Sequence, residues 1–122
     1  MKPPKILYHG TSYEYINSIN KQGIVKINYD KVYLTENIET AYEYANKNMY
    51  AVICLVDAEQ MYTNGYEFDL INNEWLTETV PKDYMLPILI EDIEDLNIIK
   101  EHVKYKSNKI TCSFELCEEG GR

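Results

Sequence analysis

A chain of 122 residues with 20 acidic against 12 basic side chains and a net charge of −8 has no room for a second core. Its balance argues against an extended nucleic-acid surface, which needs clustered cations to displace counterions from phosphates, and leaves only a local basic pocket. Three cysteines (Cys54, Cys112 and Cys117) in no CxxC or Cys/His spacing argue against a disulfide framework or a metal site.

One self-sufficient domain over residues 1–122 is expected. No signal-peptide pattern follows Met1 and no apolar run approaches a membrane span, so the expected location is cytoplasmic. The first informative stretch is Leu7-Tyr8-His9-Gly10-Thr11-Ser12. An apolar strand delivers one imidazole, Gly10 lets the backbone turn or approach a ligand closely, and Ser12 is placed to cap a helix over Ser12 to Gly23. Lys31 to Thr35 reads as a short strand with Tyr33 on one face and Val32 and Leu34 on the other. Thr35 or Asn37 caps a second helix over Ile38 to Lys47, with Ile38, Ala41, Tyr42 and Ala45 as its apolar stripe.

Ala51 to Val56, AVICLV, is the clearest buried strand and is expected to be central. A turn over Asp57 to Met61 and the pair Asn64-Gly65 lead to a strand over Tyr66 to Leu70. Asn72-Asn73 then turns the chain into Glu74-Trp75-Leu76-Thr77. Tyr84 to Ile90, broken by Pro87, suits a sheet edge. Ile93, Leu96 and Ile99 fit a helix within Glu91 to Lys106, although Leu96 to Ile99 also reads as extended. Lys109 to Leu116 reads as a last strand, with Glu118 to Arg122 as a tail.

His9, Tyr33 and Glu74 are the three polar residues that strands would deliver to a common cleft. In this order and setting the chain resembles the ADP-ribosyltransferase superfamily, and within it the RNA 2′-phosphotransferase (KptA) family. The motifs are LYHGTS, INSINKQGI, VYLTENIETAYEYA, AVICLVDAEQM and GYEFDLINNEWLTETVPKDYM, covering about residues 6 to 85. The resemblance implies an α+β fold with two small, mostly antiparallel sheets and flanking helices around an NAD cleft, with NAD as substrate and no metal. It also implies that the additional N-terminal lobe of the 2′-phosphotransferases is absent here.

Two departures shape the functional expectation. Tyr33 stands where those enzymes carry a second histidine, and Glu74 where they carry an apolar residue, so the set His9, Tyr33 and Glu74 resembles the triad of PARP-like transferases. The arginines that hold the RNA 2′-phosphate are missing, with Lys47 the nearest equivalent. Loss of nicotinamide builds positive charge on the ribose. A carboxylate at Glu74 would stabilise that charge or polarise an acceptor, and the Tyr33 ring would cover the nicotinamide. By the resemblance, His9 and Gly10 hold the ribose and the carboxamide, and Thr11, Lys31 and Lys47 are candidates for the pyrophosphate.

The function expected on this basis is NAD-dependent mono-ADP-ribosyl transfer to a protein or small molecule, with nucleic acid as a further acceptor class. The alternatives are an NAD-dependent RNA 2′-phosphotransferase and an inactive NAD or ADP-ribose binding module.

Overall fold

The computed structural model describes residues 1–25, 31–45, 51–92, 94–97 and 99–100. Its architecture is built on strand β4 (Ala51–Asp57), buried along its length up to Val56. β1 (Ile6–Ser12) pairs with it antiparallel on one side and β8 (Met85–Ile90) on the other, in the order β1-β4-β8. Because side chains alternate along a strand, β4 feeds two cores. Val52, Cys54 and Val56 pack with Leu7, Phe68 and Trp75, whereas Ala51, Ile53 and Leu55 pack with Ile38, Ala41 and Leu86.

Two smaller antiparallel sheets complete the described strands. β2 (Ile24–Val25) pairs with β7 (Thr79–Val80). β3 (Val32–Leu34), β6 (Glu74–Thr77) and β5 (Asp69–Ile71) form the third sheet in the order β3-β6-β5. The helices are α1 (Ile16–Gln22), α2 (Ile38–Ala45) and α3 (Ala58–Thr63). The α+β class stands, with three small antiparallel sheets among the described residues in place of the expected two. None of the described helices is long and apolar enough to cross a membrane.

Several boundaries differ from expectation, each for a local reason. β1 does not turn at Gly10 but runs on to Ser12, paired residue by residue with β4. The glycine is needed because α2 lies against the strand: a Cβ at Gly10 would sit 1.8 Å from the Ala41 carbonyl oxygen. The helix expected from Ser12 starts later, after a 3-10 turn over Tyr13–Tyr15, and Ser12 makes no side-chain cap hydrogen bond there. It ends as expected at Gly23, whose φ of 76° suits glycine.

The turn expected over Asp57 to Met61 is helix α3, capped by the Asp57 carboxylate, which accepts a hydrogen bond from the Gln60 N–H at 3.2 Å. The strand expected over Tyr66 to Leu70 is shorter and shifted to β5, and β8 starts after a 3-10 turn over Lys82–Tyr84. Residues 95–97 and 99–100 are helical, with Leu96 and Ile99 buried in the second core. The strand expected over Lys109 to Leu116, the tail after it, Lys47, Cys112 and Cys117 lie outside the described residues.

Candidate active site

β1 and β3 belong to different sheets and meet at one bridge. The Tyr8 N–H donates to the Thr35 carbonyl at 2.8 Å, and the Thr35 N–H returns to the Tyr8 carbonyl at 2.9 Å. Beside this bridge lies a cleft of about 600 Å³ whose lining includes His9, Gly10, Tyr33 and Glu74, together with Tyr8, Thr35 and Tyr44. The sequence therefore brings its three polar candidates to one cavity from three separate strands.

His9 is held in one tautomer. Its Nδ1 lies 2.9 Å from the carbonyl oxygen of Tyr33, and since a carbonyl only accepts, Nδ1 carries the proton. The neutral ring then keeps its lone pair on Nε2. Burial lowers the imidazole pKa below its usual value, against the smaller opposing pull of the Tyr33 carbonyl. Burial and the Glu39 charge raise the phenol pKa of Tyr8, so this hydroxyl stays protonated at neutral pH.

Tyr33 sits between buried Val32 and Leu34 and is itself 44% exposed, which follows from strand alternation across a sheet with one core face. Glu74 is placed by a two-residue hairpin. Asn72 and Asn73 have φ of 54° and 66°, the pair of left-handed residues that closes a tight hairpin with the twist of its strands, and Ile71 pairs with Glu74 across it. The Tyr44 hydroxyl on α2 donates to Glu74 Oε1 at 3.3 Å. Next along β6, buried Trp75 donates its indole N–H to Glu36 Oε2 at 2.8 Å.

Thr11 does not line the cleft; it faces Val52 in the β1–β4 register. Lys31 does not line it either. Its ammonium pairs with Glu78 at 2.9 Å, which raises its pKa. Tyr8 and Tyr44 were not singled out by sequence reasoning. For Tyr44 the signal was its place off the buried stripe of α2, which is Ile38, Ala41 and Ala45. Asn37, one of the two capping candidates, caps that helix, accepting from the Glu39 and Thr40 N–H groups at 2.9 and 3.2 Å.

A second cleft of about 510 Å³ adjoins the first, sharing Thr35, Tyr44 and Glu74 with it. No group of three or more His, Cys, Asp or Glu side chains among the described residues is arranged to hold a metal ion.

Residues 1–79 match the model of the RNA 2′-phosphotransferase, Tpt1/KptA family. The chain is 41% identical over 85 residues to a probable RNA 2′-phosphotransferase of Fusobacterium nucleatum, covering 68% of this chain and 48% of that protein. It is 37% identical over 89 residues to one of Rhizobium leguminosarum, covering 71% and 48%, and 36% identical over 85 residues to one of Flavobacterium johnsoniae, covering 69% and 47%. The chain thus spans about half the length of the curated relatives it matches.

This match corrects the expectation of mono-ADP-ribosyl transfer. That expectation rested on Tyr33 and Glu74 at the reactive positions, on the missing arginines and on the expected absence of an N-terminal lobe, none of which names the acceptor. The pattern over residues 1–79 carries the comparison to 2′-phosphotransfer, the alternative reading, and lends no support to a PARP-like assignment.

Proposed function

Since the chain belongs to the RNA 2′-phosphotransferase, Tpt1/KptA family, we propose that it removes a 2′-phosphate from RNA using NAD as co-substrate, on an ADP-ribosyltransferase-like fold. The observation that carries this reading is that every residue placed in the first cleft, from Tyr8 to Glu74, lies inside the matched segment. A cleft of about 600 Å³ is in the size range of small-molecule and cofactor sites.

The reaction balances in two steps. The bond between ribose C1″ and nicotinamide breaks with its electron pair leaving on nicotinamide, and an oxygen of the RNA 2′-phosphate bonds to C1″. The ribose 2″-hydroxyl then attacks phosphorus and the bond from phosphorus to the RNA 2′-oxygen breaks. The 2″ proton ends on that oxygen, giving ADP-ribose 1″,2″-cyclic phosphate and RNA with a free 2′-hydroxyl.

His9, Tyr33, Glu74 and Gly10, which line the cleft, have roles in this scheme. The Nε2 lone pair of neutral His9 accepts a hydrogen bond from a ribose hydroxyl and is a base for its proton. The exposed Tyr33 ring covers the nicotinamide and limits water. Glu74, held by Tyr44, stabilises positive charge at C1″. Gly10 offers backbone groups to the carboxamide. Lys47 is the proposed cation for phosphate, in place of the arginines that the sequence lacks before Arg122.

The test is incubation of the purified protein with NAD and a 2′-phosphorylated RNA oligonucleotide, scoring ADP-ribose 1″,2″-cyclic phosphate and 2′-dephosphorylated RNA. Loss of a positioned acid–base group, or of a group that stabilises charge in the transition state, is worth roughly 10²-fold or more, so His9→Ala and Glu74→Gln should each cut turnover by at least that factor. A wild-type protein that binds NAD yet forms no cyclic phosphate would overturn the reading and leave a binding module.

A further inference from the structure

The second cleft has a chemistry of its own. Among the described residues that line it there is no lysine or arginine, while two carboxylates, Glu36 and Glu74, do line it. Among these residues a phosphate would find no cation and two like charges, so they do not suit the phosphate of an acceptor. What it offers is a set of acceptors. Glu36 Oε2 is engaged by Trp75 and Glu74 Oε1 by Tyr44, and the other oxygen of each carboxylate has no hydrogen-bond partner among the described residues. The ligand that suits them donates.

The rest of the lining describes a flat, uncharged ligand. Tyr44 is 58% exposed and Leu70 39% exposed, which leaves apolar surface open beside the polar groups. Asn72 and Asn73 add two side-chain amides at the hairpin tip, each able to donate and accept. A stacking surface next to amides and carboxylates is how proteins hold an unstacked base and read its edge. Carboxylates favour the exocyclic amino groups of cytosine, adenine and guanine, which uracil lacks. The two clefts share Thr35, Tyr44 and Glu74, so a ligand in the second abuts the carboxylate reached from the first.

Resting on the 2′-phosphotransfer reading, we propose that this second cleft is a subsite for one unpaired nucleobase of the acceptor RNA, selecting bases that carry an amino group. The base docks against Tyr44 and Leu70, its edge meets Asn72, Asn73 and the carboxylates, and its attached 2′-phosphate is left pointing toward the first cleft.

The experiment uses trinucleotides U-X-U bearing a 2′-phosphate on X, with X as A, C, G or U, and the wild-type, Asn72→Gly and Asn73→Gly proteins. Glycine accepts the left-handed backbone of both positions, so the hairpin is kept while the amide is removed. One recovered hydrogen bond changes affinity by about fivefold, so KM for X as A, C or G should be lower than for X as U by at least that factor, and KM for all four substrates should rise in both variants. Equal KM values for all four substrates, or KM values untouched in both variants, overturn the subsite.

If no substrate yields cyclic phosphate, the phosphotransfer reading fails by itself and the subsite is decided by binding. Larger NMR shifts of the Asn72 and Asn73 side-chain amides with U-G-U than with U-U-U sustain it, and the absence of any such shift overturns it.

Discussion

His9 and Tyr33 are joined through the backbone of one and the ring of the other: Nδ1 of the imidazole donates to the Tyr33 carbonyl oxygen at 2.9 Å. This bond ties β1 to β3 one residue beyond the Tyr8–Thr35 bridge and leaves Nε2 as the nitrogen with the lone pair. Burial, and not this bond, makes His9 a base that resists protonation, because it outweighs the opposing pull of the carbonyl.

The consequence for pH has a definite sign. The unfolded chain takes up a proton on His9 as pH falls through the ordinary value of 6.5, while the folded chain refuses it to lower pH. This contribution to stability is therefore fully present above pH 6.5 and is lost as pH falls toward the lowered folded-state value. Urea titrations of wild type and His9→Gln at neutral pH and in steps below 6.5 should show the wild type losing more stability with acid. An identical pH dependence for the two proteins would rule out the depressed pKa.

Gly10→Ala should be among the most damaging single-methyl changes in the chain. The new Cβ would lie 1.8 Å from the Ala41 carbonyl oxygen and 3.2 Å from the Ala45 Cβ, so α2 has to move off β1. Overpacking of this kind costs about 1 to 3 kcal/mol or more, and the top of that range is expected because the obstacle is backbone. Thermal denaturation gives the stability loss, and NAD titration should show weakened binding in whatever fraction still folds.

Asp57 separates capping from charge. Burial raises its carboxyl pKa above 3.8, despite the hydrogen bond from Gln60, so the charged form is a cost that is present above the folded-state pKa and relieved as pH falls below 3.8. Asp57→Asn keeps the acceptor for α3 and removes the charge. It should match or exceed wild-type stability at neutral pH and lose any gain in acid. Asp57→Ala removes the cap and should cost about 1 kcal/mol. Chemical denaturation of both variants at two pH values reads the difference.

Trp75 is the chain's one tryptophan, which makes its bond to Glu36 easy to follow. Glu36→Ala leaves a buried indole N–H without its 2.8 Å partner, at a cost of about 1 to 3 kcal/mol. Glu36→Gln keeps an acceptor and should recover most of it. Fluorescence emission should shift in the alanine variant and return toward the wild-type position in the glutamine variant.

Much of this arrangement was legible before any coordinates. AVICLV announced a central strand because six consecutive apolar residues fit a strand buried on both faces. Val32 and Leu34 around Tyr33 predicted one core face and one cleft face, and the structure has both. Asn72-Asn73 predicted the turn that positions Glu74.

What escaped was set by contacts distant in sequence. The role of Gly10 depends on where α2 lands, which no local pattern states. Tyr44 meets Glu74 only because α2 and β6 flank the same cleft. Helix α3 is different, since its signal was local: Asp57 followed three residues later by Gln60 has the spacing of a capping box, and reading Asp57 to Met61 as a turn hid it. The family was legible in the ordered motifs, which the match over residues 1–79 bears out, whereas the activity was read from the departures at Tyr33, Glu74 and the missing arginines, and that step is the one the match overturns.

The position of β4 between two cores also determines how the molecule comes apart. Neither core can open without stripping one face of this strand, because Val52, Cys54 and Val56 serve one and Ala51, Ile53 and Leu55 the other. The β4 amides should therefore exchange with deuterium only at the rate of whole-molecule unfolding. The Cys54 thiol, fully buried on that strand, should react with a thiol probe no faster, so its labelling rate serves as a direct gauge of global stability.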